Sequence, residues 1–397
     1  MAGEWRERLL GELTENFDSV RVPVKEAERR TGQYPYYGAS GIVDYVDNYL
    51  FDGEYLLIAE DGENLRTRNT PVAFLARGKF WVNNHAHIVR ANSEADTRFL
   101  MYALSGADIS GYLTGSTMPK LTQGNMNRIP LIAPPPDEQR AIAHILGTLD
   151  DKIEVNRRMN ETLEAMARAL FKSWFVDFDP VRAKADGRDP GLPKPLADLF
   201  PDSFEDSELG EIPKGWEIKS IGDLAEVTSG KRPGDRFAEP SDQASVPLWG
   251  GNGPMAYVTT PLYHQPILLT GRVGTLGSIF RIVSPCWPSD NTLVVLPREQ
   301  YGFEYLFLQL GRIDFAAFNR GSTQPLLTQT DLKTRPVAAP HPPLLYWFHN
   351  VAGDLFARVD ASERASSVLA ALRDTLLPKL ISGERRIKDA EGLTEIA

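Results

Sequence analysis

Several residue groups in this 397-residue chain have types and spacings that chemistry could use. Pro201-Asp202 followed by Glu217-Ile218-Lys219 resembles the PD…ExK spacing of many nucleases. Asp202, however, lies in a Pro- and acid-rich stretch, where carboxylates are not held rigidly around Mg²⁺. His85 and His87 form an H-x-H pair on one side of a strand. With no nearby Cys or third ligand, they suit hydrogen bonding better than zinc. Gly271, Gly274 and Gly277 make a G-x-x-G-x-x-G run, which is not the dinucleotide fingerprint, and no βαβ unit surrounds it. No G-x-x-x-x-G-K-[ST] phosphate loop exists. An adenine methyltransferase needs [DN]-P-P-[YF] to hold its target amine. The nearest string, His341-Pro342-Pro343-Leu344, lacks both the acceptor and the aromatic, and reads as a proline stop before a helix. Cys286, between Pro285 and Trp287, reads as a small buried hydrophobe rather than a nucleophile. No catalytic residue and no metal ligand is therefore assigned.

Composition narrows the class. Hydrophobic content of 42% and charged content of 24% are those of a globular chain with room for two or three domains. A single cysteine excludes an intramolecular disulfide and suits a reducing, cytoplasmic setting. No apolar run approaches the roughly 18 residues that span a bilayer. The start, MAGEWRERLLGELTENF, is charged and is not expected to be a secretory signal. The net charge of −10 argues against generic polyanion binding. The acid is uneven, though: Asp198, Asp202, Glu205, Asp206, Glu208 and Glu211 crowd one short stretch that has no base. Residues 212–342 hold 12 Lys/Arg and 11 Asp/Glu, so that segment is near neutral and free to present a basic face.

The element that must position everything else is residues 137–180. Starting at Ile142, steps of four and three pick out Leu146, Leu149, Ile153, Asn156, Asn160, Leu163, Ala167, Leu170 and Trp174. This is a coiled-coil seam sustained over more than four heptads. Asn156 and Asn160 weaken such a seam but fix its register and partner. Gly115-Ser116-Thr117 recurs as Gly321-Ser322-Thr323, an offset of 206 (322 minus 116). The same offset maps the seam onto Phe348, Ala352, Leu355, Val359, Ser362, Ser366, Leu369, Arg373, Leu376 and Leu380. Both copies thus carry polar residues at the same two places.

Each long helix follows a domain-sized, strand-rich segment. The chain divides into a globular segment at 1–136, a helix at 137–180, an acidic Pro-rich linker at 181–211, a second globular segment at 212–342, a second helix at 343–382 and a polar tail at 383–397. Pro378 is expected to kink the second helix. Tyr37-Gly38-Ala39-Ser40-Gly41 parallels Trp249-Gly250-Gly251-Asn252-Gly253, Trp81 parallels Trp287, and GSTMPKLTQGNM parallels GSTQPLLTQTDL. The class is α+β with an internal repeat, scaffold positions matching while polar ones differ.

GSTMPKLTQGNMNRIPLIAPPPDEQRAIAHILGTLDDKIEVNRRMNETLEAMARALFKSWFVDFDP (115–180), SELGEIPKGWEI (207–218) and LLPKLISGE (376–384) resemble the specificity subunit of type I restriction–modification systems over nearly the whole chain. The resemblance implies two target-recognition domains, each reading half of a split double-stranded DNA sequence, separated by two antiparallel helices acting as a ruler. Ile142 to Trp174 would span about 50 Å, roughly 1.5 turns of B-DNA. It also implies two modification subunits carrying S-adenosylmethionine and two motor/nuclease subunits using ATP and Mg²⁺. The chain itself would hold no cofactor, sit in no membrane and catalyse nothing. By the ordinary division between phosphate-holding bases and base-reading polars, the DNA-contacting candidates are Lys25, Arg29, Arg30, Ser116, Thr117 and Lys120 in the first domain. In the second they are Lys231, Arg232, Arg236, Arg272, Ser322, Thr323 and Gln324. Pairs that differ between copies, Met118/Gln324 and Lys120/Leu326, are the better readout candidates. Two other readings stand beside this one: a coiled-coil protein–protein scaffold without DNA readout, and a self-sufficient nuclease using the PD…ExK-like residues.

Overall fold

A chain that repeats its own pattern is expected to bury each copy separately, and the computed structural model divides into two units. It describes residues 5–274, 276–315, 326–385 and 387. The first unit is Met1–Arg157 with Glu363–Ala397, and the second is Arg158–Ser362. Both divisions fall inside long helices, Pro136–Phe175 and Pro342–Ile381. Each unit therefore holds the start of one long helix and the end of the other. Among the described residues no helix is long and apolar enough to cross a membrane.

The first unit is built on a six-stranded sheet, ordered Thr14–Asn16, Ala86–Ala91, Phe51–Ala59, Ala73–Val82, Thr31–Gly38, Gly41–Val46. Alternation along a strand sends successive side chains to opposite faces. Leu56 and Ile58 accordingly pack with Phe99 and Leu100 of the helix Thr97–Gly106, while Leu57 joins Phe80 and Ile88 on the other face. The second unit repeats this plan but splits the sheet in two. Ala225–Ser229, Thr292–Pro297, Ile267–Gly271 and Ile279–Ile282 form one sheet, and Gly253–Val258, Val246–Gly250 and Trp287–Pro288 the other. The single strand Ala73–Val82 of the first unit corresponds, at the offset of 206, to Ile279–Ile282 plus Trp287–Pro288. Pro285 falls in the gap, and a proline cannot donate to a ladder.

In the first unit Ile142, Leu146 and Leu149 from the start of one helix share a core with Leu369, Leu376 and Leu380 from the end of the other. In the second unit Ala167, Phe171 and Trp174 share one with Phe348, Ala352 and Phe356. Asn156 is buried and donates from Nδ2 to Ser366 Oγ at 3.0 Å. Asn160 Oδ1 and Ser362 Oγ, both in the second unit, are enclosed without a hydrogen-bond partner among the described residues. Arg373, the cationic seam position, places Nη1 2.7 Å from Asp150 Oδ1. Helix Pro342–Ile381 continues past Pro378, which lies in its last turn.

The first long helix stops at Phe175 rather than running to 180. Phe178 adopts a left-handed backbone (φ 55°) and buries its ring against Trp216 at 5.6 Å, and a separate short helix, Asp179–Ala185, follows. Residues 181–211 are not a loose linker. They contain the helix Lys194–Ala197 and most of the hairpin Phe204–Ser207/Gly210–Pro213, and they sink Val181, Leu196 and Phe200 into the second unit's core. Acid and proline on their surface mask these three apolar residues in the composition.

Each unit also ties its sheet domain to its helices through a helix glycine. In the first, Arg98 passes over Gly147 to pair with Asp151, and Tyr102 donates to Asp150. In the second, at the same offset, Glu304 lies over Gly353 and meets His349, while Arg281 clamps Asp360 with bonds of 2.8–3.0 Å. A Cβ at Gly147 would sit 2.3 Å from Arg98 Nη1, whereas at Gly353 the nearest atom is 3.8 Å away. Alanine in a helix gains up to about 1 kcal/mol over glycine. Thermal melts should therefore show Gly353→Ala stabilising the chain. Gly147→Ala should lose most or all of that gain as Arg98 is displaced from Asp151, a pair worth up to about 1 kcal/mol; an equal gain at both positions would refute the tie.

Candidate nucleic-acid interface

Glycine placement shapes the loops that could meet a ligand. The strings Tyr37–Gly41 and Trp249–Gly253 are both hairpin tips, closed by Gly38 opposite Gly41 and Gly250 opposite Gly253. Gly41 and Gly253 take φ of 123° and 121°, which side-chain-bearing residues avoid. A second loop in each unit is tethered by a tryptophan. Trp81 Nε1 donates to Val22 O at 2.7 Å, and Trp287 Nε1 donates to Lys231 O at 2.8 Å. The repetition of Trp81 as Trp287 was visible in the sequence; its role as loop anchor was not.

The tethered loops carry the basic candidates. Lys25 and Arg30 are exposed, but Arg29 is committed within the loop. Arg29 donates from Nε to Val24 O at 3.2 Å, pairs with Asp44 at 3.2 Å and lies 4.6 Å above the Tyr36 ring. In the second unit Lys231, Arg232 and Arg236 are exposed. Arg232 and Arg236 line a cleft with Asp235, Met255, Asp290 and Asn291. Ser116 and Thr117 stand exposed on a bend that begins at Gly115 (φ 86°), where Arg66 Nη2 donates to the Gly115 carbonyl at 3.0 Å. Ser322, Thr323 and Gln324 lie outside the described residues. Leu326, the counterpart of Lys120, is exposed and bridges to Val273.

Beneath the first unit's loops lies an ionic cluster that sequence reasoning missed. Glu60 Oε2 accepts from Arg21 Nη1 at 2.7 Å, and Glu60 Oε1 lies 3.2 Å from Lys120 Nζ. Asp18 accepts from the Ile88 amide at 2.8 Å and meets His87 Nδ1 at 2.5 Å, while His87 Nε2 faces Leu121 O at 2.8 Å. Burial opposes a charge on His87. Its bonds to Asp18 and Leu121 O, with Glu60 nearby, more than offset this and hold its pKa above the usual imidazole value. Burial likewise opposes charge on Asp18 and Glu60. His87, Arg21 and, at Glu60, Lys120 nevertheless keep both below the carboxylate range. His85, by contrast, is exposed and bonds Asp61 at 2.9 Å. The only signal in the sequence was the H-x-H string, whose two rings serve separate acids.

The other chemistry-like strings have ordinary surroundings. Glu217 and Lys219 pair with each other at 3.0 Å, and Asp202 is exposed. Gly271 is needed because its Cα packs on Gly251; a Cβ there would come within 2.9 Å. Burial pushes the Cys286 thiol up to about 12. Among the described residues, no three His, Cys, Asp or Glu gather as cation ligands would.

The family described as the type I restriction modification DNA specificity domain matches residues 2–165 and 213–344. The chain is 25% identical to the type I restriction enzyme MjaIX specificity subunit of Methanocaldococcus jannaschii, over 97% of each chain. It is 24% identical to the type I restriction enzyme HindI specificity subunit of Haemophilus influenzae, over 84% of each. A crystal structure of a type I restriction-modification system S subunit from M. genitalium shares the fold. That likeness has a TM-score of 0.66 at 17% identity and covers 96% of each chain.

A pKa raised by folding makes His87 stabilising below its unfolded value near 6.5, and that contribution fades as pH rises through the folded pKa. Chemical denaturation between about pH 6 and 8.5 should therefore show stability falling with pH. His87→Gln should flatten this slope and cost about 1–2 kcal/mol at the acid end. An unchanged slope would exclude a charged His87.

Proposed function

The chain belongs to the family of type I restriction modification DNA specificity proteins, and on that premise we propose that it selects the DNA target of a type I restriction–modification enzyme without itself catalysing a reaction. Each β-rich unit reads one half of a bipartite, asymmetric sequence in double-stranded DNA. The observation that carries this reading is one loop scaffold built twice, with a tryptophan tether and a glycine hairpin tip in each unit, bearing different polar side chains. A reader of two unlike half-sites needs that combination, because phosphate contacts set register while side chains on a common frame choose bases.

Lys25, Arg30, Ser116 and Thr117 in one unit, and Lys231, Arg232 and Arg236 in the other, are the exposed groups offered to DNA. Arg29 and Lys120, engaged with acids of the chain, brace the loops instead. The long helices set the spacing between half-sites and offer docking surfaces to two modification subunits and two restriction subunits. S-adenosylmethionine, ATP and Mg²⁺ belong to those partners. A scaffold without DNA readout would leave the paired loops without a purpose.

The test is selection from a randomised duplex library by the chain assembled with its modification subunits. Two fixed sequence blocks flanking an unread spacer are expected. One heptad added to each long helix at the Asn156–Asn160 level lengthens the helix pair by about 10 Å. The preferred spacer should then grow by about three base pairs at roughly 3.4 Å each. Enrichment of no bipartite sequence, or a spacer unmoved by the insertion, would refute the reading.

A further inference from the structure

We propose that Arg272 is a guanine-reading side chain of the second unit and that the first unit has no counterpart; the assignment rests on the DNA-reading function proposed above. Backbone hydrogen bonds show that Arg272 and Glu60 occupy one position of the repeated fold. Glu60 N donates to His85 O at 2.9 Å, and Glu60 O accepts from Leu121 N at 2.8 Å. Arg272 N donates to Asn291 O at 3.0 Å, and Arg272 O accepts from Leu327 N at 2.8 Å. Both partners differ by the repeat offset, 291 minus 85 and 327 minus 121 each giving 206. An acid in one unit is thus a guanidinium in the other.

The two side chains are treated differently by their surroundings. Glu60 is 14% exposed, and both its oxygens are taken by Arg21 and Lys120. The position is neutralised and closed. Around Arg272 the neutralising set is missing. Leu293 stands where His87 does, and Leu326 where Lys120 does. Arg272 Nη1 makes one long bond, 3.4 Å to Ser229 Oγ, which already accepts from Gln329 Nε2 at 3.0 Å. Arg272 Nε is enclosed with no partner among the described residues. Residues 316–325 contain no Asp or Glu, so that segment supplies no counter-charge.

A guanidinium has five N–H donors in a fixed fork. Here Nε–H is enclosed without a partner among the described residues and Nη1 has one long bond, so the fork is under-satisfied unless an acceptor arrives. The two acceptors that match the fork in the major groove are guanine O6 and N7. A phosphate would also accept, but it sets register without choosing a base, and the side chain here is held rather than free to track a backbone. Arg272 is half-buried, bonded through its backbone on both sides, and preceded by Gly271 locked against Gly251. Its backbone partner Asn291 lines the cleft that holds Arg232 and Arg236, and its Nη1 bond to Ser229, two residues before Lys231, sets the fork at the base of the exposed basic loop.

Library selection with the assembled complex tests this at single-base resolution. The unsubstituted chain should require one guanine within one half-site. Arg272→Gln should move that preference to adenine, because a carboxamide matches adenine N6 and N7. Arg272→Ala should relax the position and weaken binding to the guanine target about 5- to 150-fold. The other half-site should keep its sequence in both variants, which also shows that they fold. An unchanged motif in both variants would overturn the assignment. So would uniform weakening on every sequence with a shallower salt dependence, the mark of a phosphate contact. If the unsubstituted chain selects no bipartite sequence, the DNA-reading function itself falls. If it selects one that ignores residue 272, only this assignment falls.

Discussion

Ile142, Leu146 and Leu149 lose contact with water because Leu369, Leu376 and Leu380, far along the chain, cover them. The mirror arrangement holds in the second unit, where Phe348 and Ala352 from the start of one helix cover Phe171 and Trp174 from the end of the other. Neither unit can bury its helix seam with one contiguous stretch of sequence. The hydrophobic effect rewards only the removed area, so the reward for each sheet domain arrives when the distant helix returns. That dependence explains why both copies of the seam are retained, and why polar residues interrupt both at the same level. Asn156 donates to Ser366 within that seam, and a buried polar pair of this kind fixes the register that the leucines alone would leave open to sliding.

On that frame the sheet domains are free to diverge in charge while keeping their backbone. The ladder between Leu57 and Ile88 recurs as the ladder between Leu269 and Val294. The tryptophan tether and the glycine hairpin tip recur as well. What changes is the set of side chains under and along the loops. The first unit encloses a network of Asp18, Arg21, Glu60, His87 and Lys120 whose charges answer one another. The second sets Arg272 at the same backbone position, with no acid paired to it among the described residues. Side-chain charge thus differs between the units where the tryptophan tether and the glycine hairpin tip are kept.

Backbone patterns were legible in the sequence to the extent that they are local. Heptad spacing placed the long helices, and the shared offset of 206 exposed the repeat. Glycine runs marked the hairpin tips. Features depending on several distant residues were not legible. The Asp18–His87 and Glu60–Arg21 pairs join segments that no period connects. Arg29 looked like a ligand-facing base because its partners, Asp44, Val24 and Tyr36, come from the loop and the hairpin it braces. Residues 181–211 were misjudged for another reason. The fold buries Val181, Ala183, Leu196 and Phe200 out of an otherwise polar surface, with Phe200 1% exposed beside Trp174. Composition averages over a segment, whereas burial depends on where the few large side chains point.

The ties between sheet and helix add a constraint on how such a chain can diverge. At one position of the repeat the first unit uses Arg98 over Gly147, and the second uses Glu304 over Gly353. Each is matched to its own helix: Arg98 to Asp151, Glu304 to His349. Offset by 206, Asp151 becomes Ala357 and His349 becomes Ala143. A sheet domain moved onto the other helix pair would therefore set Glu304 near Asp150 and Asp151, or leave Arg98 without an acid. Unpaired charge in a partly enclosed site is unfavourable, so the two domains are keyed to their places although their folds are interchangeable. Ion pairs at the base of each domain therefore favour one order along the chain.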